Sequence, residues 1–312
     1  MKKKQVKINS KKIERKPSKN PVIILAVIAA ILLLLFIFSL IPKESQEWSV
    51  SRDGILSYPE NRGWVDVTVL KTELGNNYTL ETISFASKDY NVEGLLRIPS
   101  TGKKVPAVVI LPGATVTKEG TQGLAGILSS MGYASLGIEQ RNTGGVDLEY
   151  DYGLFREGNE PIEHKMVFDA LRAVDVLRQD KRIDAQKIAI LGESNGGRFA
   201  IIATALDPGI KGVIGISTSG YDTESQIVNV KDETLIRFYR SIDPETYLGL
   251  IPPRRFVMMH SANDSIIKIG FAEDTFKKAK EPKKFYLVKN GGHGFSEDMK
   301  APLEEELGLM FS

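Results

Sequence analysis

Cysteine is absent from the 312 residues, which excludes disulfides and thiolate chemistry and leaves the redox compartment unread. Histidine is scarce: His164, His260 and His293 are the only imidazoles available as a general base, and any metal site would need these or carboxylates. No metal and no cofactor is expected. Residues 50–312 lack an internal repeat, a low-complexity run and a Pro/Gly/Ser-rich linker, which argues for one domain. A composition of 42% hydrophobic and 26% charged residues suits an ordinary globular body.

The near-absence of net charge, formally +2, hides an asymmetry. Residues 1–21 carry nine Lys/Arg (Lys2, Lys3, Lys4, Lys7, Lys11, Lys12, Arg15, Lys16, Lys19) against Glu14 alone, leaving 32 bases and 38 acids for the rest. A body with a net charge of −6 is not a nucleic-acid binder, and none is expected as partner. Val22 to Ile41 is an uncharged apolar stretch of twenty residues, long enough at about 1.5 Å per residue to cross a hydrocarbon core of about 30 Å. It exceeds the apolar region of a cleaved signal peptide, and Ser39-Leu40-Ile41-Pro42 lacks a small-x-small cleavage site. The expectation is a basic cytoplasmic tail (1–21), a transmembrane helix (22–41), a juxtamembrane segment (42–63) and a catalytic domain (64–312) outside the cytoplasm, following the positive-inside rule. The tail could also meet anionic headgroups. Asn77-Tyr78-Thr79 is a glycosylation sequon compatible with that topology.

In the body, β-branched and aromatic runs at Trp64–Leu70, Tyr78–Ala86 and Val92–Ile98 predict antiparallel strands. Short apolar runs then alternate with longer amphipathic segments through to a last helix near Glu297–Met310. This predicts an α/β fold with a mostly parallel sheet covered by helices on both faces, whose sites lie at the carboxyl ends of strands. Residues 221–240 break the alternation and read as a small helical insertion over the sheet edge, either a lid or part of the pocket wall, or an ordinary surface excursion.

Gly192-Glu193-Ser194-Asn195-Gly196-Gly197 fits G-x-S-x-G, and its surroundings suit a sharp strand-to-helix turn: Lys187–Leu191 is strand-like and Arg198–Ala203 helical. Such a turn lifts the Ser194 hydroxyl above the sheet and aims the Asn195 backbone N–H at a developing oxyanion. The second donor is expected after the strand 106–111, at the Ala114 backbone N–H of Leu111-Pro112-Gly113-Ala114. Serine needs a base. His164, near a helix start, reads as a surface residue, and His260, ending a strand, as a buried structural one. His293 lies in Asn290-Gly291-Gly292-His293-Gly294-Phe295, a glycine-flanked turn that can reach the serine. Asp264, in Ser261-Ala262-Asn263-Asp264-Ser265-Ile266-Ile267, supplies the orienting acid. The order Ser194, Asp264, His293 is that of α/β-hydrolases, unlike the chymotrypsin or subtilisin orders.

From about Tyr78 onward the chain resembles the α/β-hydrolase superfamily, in the style of dienelactone hydrolases, acetyl esterases and prolyl-oligopeptidase catalytic domains. The resemblance rests on LPGA (111–114), GESNGG (192–197), SANDSII (261–267) and GGHGF (291–295), with the approach Arg182–Gly192. Departures are Pro112-Gly113 where many relatives have His-Gly, Ser261 where they have glycine, and Lys268 where they have proline. Glu139–Gly144 matches the Asp-x-Arg-Gly-x-Gly loop of the peptidase-like group only loosely, and no β-propeller precedes the domain. The expectation is a serine hydrolase for a small-molecule ester or short peptide-like substrate. A peptidase or thioesterase of the same fold remains open, and a non-catalytic scaffold would not require serine, acid, base and both glycines together.

Overall fold

The computed structural model describes residue 25 and residues 47–312. The expected membrane span at 22–41 lies outside the described residues apart from Leu25, and among the described residues no helix is long and apolar enough to cross a membrane.

Residues 47–312 form one compact unit. It opens with β1 (Ser49–Val50) and β2 (Leu56–Ser57), a short antiparallel pair. These fall in the stretch read from sequence as juxtamembrane, yet they belong to the body because their apolar and polar groups both find partners there. Leu56 is fully buried and its N–H donates to the Tyr247 hydroxyl at 3.0 Å, which itself donates to Ser241 O at 2.8 Å. Next come β3 (Val67–Leu74), β4 (Tyr78–Ser87) and β5 (Tyr90–Pro99), paired antiparallel, with boundaries a few residues from those read in the sequence.

The α/β part follows: β6 (Val105–Leu111), α1 (Gln122–Ser130), β7 (Ala134–Ile138), α2 (Leu148–Arg156), α3 (Ile162–Gln179), β8 (Ile183–Glu193), α4 (Asn195–Leu206) and β9 (Gly212–Ile216). After the insertion helices α5 (Thr223–Gln226) and α6 (Glu233–Ile242) come β10 (Arg255–Ser261), α7 (Ile269–Lys278), β11 (Lys283–Val288) and α8 (Lys300–Phe311). Among the described residues the main sheet has nine strands in the order β11-β10-β9-β8-β6-β7-β5-β4-β3; β6 to β11 run parallel, and β5 joins them antiparallel through β7.

The strict period of two explains the layering. Ala107, Val109, Leu111, Ile188, Ile190, Phe256 and Met258 enter one core with α3 and α4. Their neighbours Val108, Ile110, Ala189, Leu191, Val257 and Met259 enter the other with α1 and α8. Strands apolar on both faces sit only in the centre of such a sandwich, so the strand ends β6, β8, β9 and β10 are brought side by side.

Candidate active site

Ser194 stands between β8 and α4 with φ 52° and ψ −120°, a conformation a non-glycine residue holds only when its surroundings over-determine it. Here they do. Ser194 N–H donates to Ile216 O of the adjacent strand at 2.8 Å, and its carbonyl accepts from Gly197 N–H at 3.0 Å. The flanking glycines are obligatory for a steric reason: a Cβ on Gly192 would lie 2.3 Å from Gly196 O, and one on Gly196 2.3 Å from Leu111 O. Gly113, in the loop after β6, packs so closely that an added Cβ would lie 3.2 Å from Ser194 Cβ. Ala114 is the next residue and is exposed. Asn195 is the first residue of α4, where a backbone N–H has no partner within the helix.

Asp264 and His293, 29 residues apart in the chain, meet because β10 and β11 are neighbours and each is followed by a turn at its carboxyl end. His293 Nδ1 lies 2.9 Å from Asp264 Oδ2 and 3.1 Å from Oδ1. Since a carboxylate only accepts, Nδ1 carries the hydrogen and Nε2 is left to take a proton. The Asp264 side chain is wholly buried; Oδ1 also accepts from the N–H groups of Ile266 (2.9 Å) and Ile267 (3.0 Å). Burial disfavours its charge, but the Ile267 N–H, His293 and the Ile266 N–H outweigh that and hold its pKa below the ordinary carboxylate value. Among the described residues no hydrogen bond joins Ser194 Oγ to His293, a looseness common before substrate binds.

Three residues support the pair, of which the sequence singled out His260 alone. Ser217, at the end of β9 and buried, accepts from Gly294 N–H at 3.0 Å and stands beside the Asp264 carboxylate. Glu193, directly before the serine, accepts from Phe295 N–H at 3.1 Å; burial raises its pKa against the opposing pull of that N–H and of His293. The two side chains fasten the histidine turn to the strands beside the serine. His260, fully buried, donates from Nε2 to Ile267 O at 2.8 Å, closing the turn that carries Asp264, a structural role in keeping with its position. For Glu193 the sign available in advance was an acid at the first variable position of the elbow; Ser217 had none.

His164, expected at the surface, is buried. It is 1% exposed: its Nε2 is 2.8 Å from Ser241 Oγ of α6, Trp48 packs on its ring at 5.6 Å, and burial holds its pKa down to about 3. The insertion and the chain entry cover the start of α3, which no local pattern in the sequence discloses. Residues 221–240 carry α5 and most of α6, with Phe238 and Ile242 packed on Phe155 of α2. An open cleft of about 410 Å³ beside them is lined by Asp53, Thr223, Arg240, Asp243 and Lys278 among others, and not by Ser194, Asp264 or His293. Among the described residues no cluster of three or more His, Asp or Glu is arranged to hold a metal ion.

A strained serine on a strand-to-helix turn beside an Asp–His pair can do acyl transfer. Comparison with known proteins points the same way. The family profile "Acetyl xylan esterase (AXE1)" matches residues 71–247, more than half of the chain. The uncharacterized protein YfhR of Escherichia coli K12 is 25% identical over 221 residues, covering 69% of this chain and 74% of that protein. The acyltransferase drtE of Aspergillus calidoustus is 30% identical over 137 residues, 44% of this chain and 42% of its own length. Among solved structures, an acetyl xylan esterase from Paenibacillus sp. R4 superposes with a TM-score of 0.67 at 18% identity, covering 80% of this chain and 90% of that one. A dienelactone hydrolase from Anabaena variabilis gives 0.53 at 16% identity over 76% and 98%. The chain therefore belongs to the acetyl xylan esterase (AXE1) family and is an esterase-type hydrolase of the α/β-hydrolase superfamily.

Proposed function

We propose that this protein is a membrane-anchored carboxylic ester hydrolase that works outside the cytoplasm through Ser194, His293 and Asp264, removing short acyl groups from small or carbohydrate alcohols. The observation that carries the reading is the His293–Asp264 hydrogen-bonded pair, whose turn is tied through the Phe295 N–H to Glu193, the residue before the strained Ser194. His293 Nε2 takes the Ser194 Oγ proton as Oγ attacks the ester carbonyl, and the N–H groups of Asn195 and Ala114 receive the oxyanion. The imidazolium then returns the proton to the departing alkoxide, and water, deprotonated by the same nitrogen, releases the acid and free serine. Asp264 keeps Nδ1 protonated and the ring oriented.

The substrate class is supported by family membership and by the acetyl xylan and glucuronoyl esterases among structural relatives. The site of action is supported by the apolar run 22–41 behind nine bases. The deciding experiment is fluorophosphonate labelling of the full chain, followed by hydrolysis of p-nitrophenyl acetate, butyrate and octanoate, an acetylated oligosaccharide, and an aminoacyl anilide. Labelling of wild type and not of Ser194→Ala, with the acetyl esters turned over fastest, is expected; equal labelling of the two sinks the mechanism. Because the chain has no cysteine, a single Lys300→Cys reports topology. A membrane-impermeant maleimide should label it in intact cells, and labelling only after lysis would refute an extracytoplasmic body.

A further inference from the structure

We infer that the Asn195 side chain, separately from its backbone N–H, is a positioning residue that sets the separation of the two oxyanion donors. This rests on the mechanism just proposed. The donors sit on different segments, the start of α4 and the loop after β6, whose backbones pack together at Gly196 and Gly113, and residues 140–145 tie the two by hydrogen bonds. That segment is conformationally tense: Asn142, Thr143 and Gly144 have φ of 50°, 50° and 73° in succession, and two of them are not glycine. It is anchored from behind by Arg141, which donates to Asp169, Asp89 and Ser87 O, and toward the site by both donor segments.

On the Ala114 side, Gln140 Nε2 donates to Pro112 O, Thr115 N–H donates to Thr143 O at 2.7 Å, and Gly144 lies so near that an added Cβ would be 3.2 Å from Ala114 Cα. On the Asn195 side there is one direct tie: Asn195 Nδ2 donates to Gly144 O at 2.7 Å. Gly144 thus bridges the two donor segments. The direction of the amide is also dictated. Arg198 Nη1 donates to Asn195 Oδ1 at 3.2 Å, which occupies the oxygen and turns the NH₂ toward Gly144. Arg198 is itself fixed by Ser219 O, 3.0 Å from Nε, and by the Tyr221 ring, 4.0 Å beneath its guanidinium. Asn195 is buried, so this arrangement admits few alternatives.

Oxyanion stabilisation depends on donors placed before charge develops, so loss of the brace acts on the transition state and little on substrate binding. Asparagine can be replaced by an isostere that cannot donate. In Asn195→Asp the backbone N–H remains, but an acceptor faces Gly144 O. With p-nitrophenyl acetate, kcat should fall about 10- to 100-fold while KM stays within about threefold, and a trifluoromethyl ketone, which forms an oxyanion on the serine, should weaken by the same factor as kcat/KM. Arg198→Lys, which keeps the charge and loses the fork, should show a parallel loss of about 3- to 10-fold and decides the matter if the first variant does not fold. The inference is overturned if the folded variants keep kcat within about twofold of wild type, or if kcat falls without matching loss of ketone affinity. Either result with active wild type leaves the serine mechanism standing, whereas wild type no more active than Ser194→Ala removes both.

Discussion

The two halves of the main sheet obey the same pleat and differ in what covers them. From β6 to β10 the strands are buried on both faces, with Ala107 to Leu111 and Ile188 to Leu191 at most 1% exposed. At the far edge every residue of β3 is exposed, Leu74 at 83% and Val69 at 50%. The strained backbone of the candidate site, Ser194 and Ser217, lies at the ends of the covered strands, where neighbouring strands supply a partner for each misdirected N–H. A free edge has no means of holding such conformations. Burial on two sides is therefore a condition for the chemistry as well as a source of stability.

Substitutions in the covered centre and at the open edge should differ sharply in effect. The largest effect should come from Asp264→Asn, which keeps the side-chain shape but, with its oxygen held by the Ile266 and Ile267 N–H groups, turns an NH₂ donor toward His293 Nδ1 and so disfavours the Nδ1–H tautomer; kcat should drop about 10⁴-fold in steady-state ester hydrolysis. A loss under tenfold would mean the pair does not act as a unit. Next is Gly196→Ala, whose methyl has no space against Leu111 O and Pro112 O. Urea unfolding should show a loss of about 3 kcal/mol or more, in keeping with overpacking against rigid backbone.

Third is Glu163→Gln. Glu163 lies at the start of α3, facing Asp151, Arg198 and Tyr221, and burial, reinforced by Asp151, pushes its pKa from 4.5 up to about 8. Between those values the unfolded chain gives up this proton and the folded one keeps it, so the wild type loses stability as pH rises. The loss from pH 6 to 8 should be on the order of 2 kcal/mol, and the Gln variant should lack that slope in melts across the range. The smallest effect is expected at the open edge: Leu74→Ala should change stability by less than about 0.5 kcal/mol and leave ester turnover unchanged. A large loss there would show that the edge is covered in the working protein.

What could be read from the sequence was what is written locally. The elbow at Ser194 needs glycines within two residues on either side, and the alternation of apolar runs with amphipathic segments dictates the parallel sheet. Asp264 and His293 were accessible because each directly follows a strand and because only three histidines exist. Ser217, Glu193 and the side chain of Asn195 escaped notice since their partners, Gly294, Phe295 and Gly144, come from other turns that only the fold brings near. His164 was misplaced for the converse reason: its cover is Trp48 and Ser241, both remote in the chain. The stretch before residue 64 looked like a tether, since two-residue strands leave almost no periodic trace.

That stretch determines how the body responds to force. Arg237 of α6 donates to Val50 O at 2.9 Å, Trp48 packs at a tilt against Phe155, and the Leu56 N–H donates to the Tyr247 hydroxyl. A pull applied at Glu47 would be taken up first by these contacts on the insertion side, and only afterwards by the sheet. Residues 47–57 are therefore loaded ahead of the strands that hold Ser194, so the anchoring of this segment comes before that of the site.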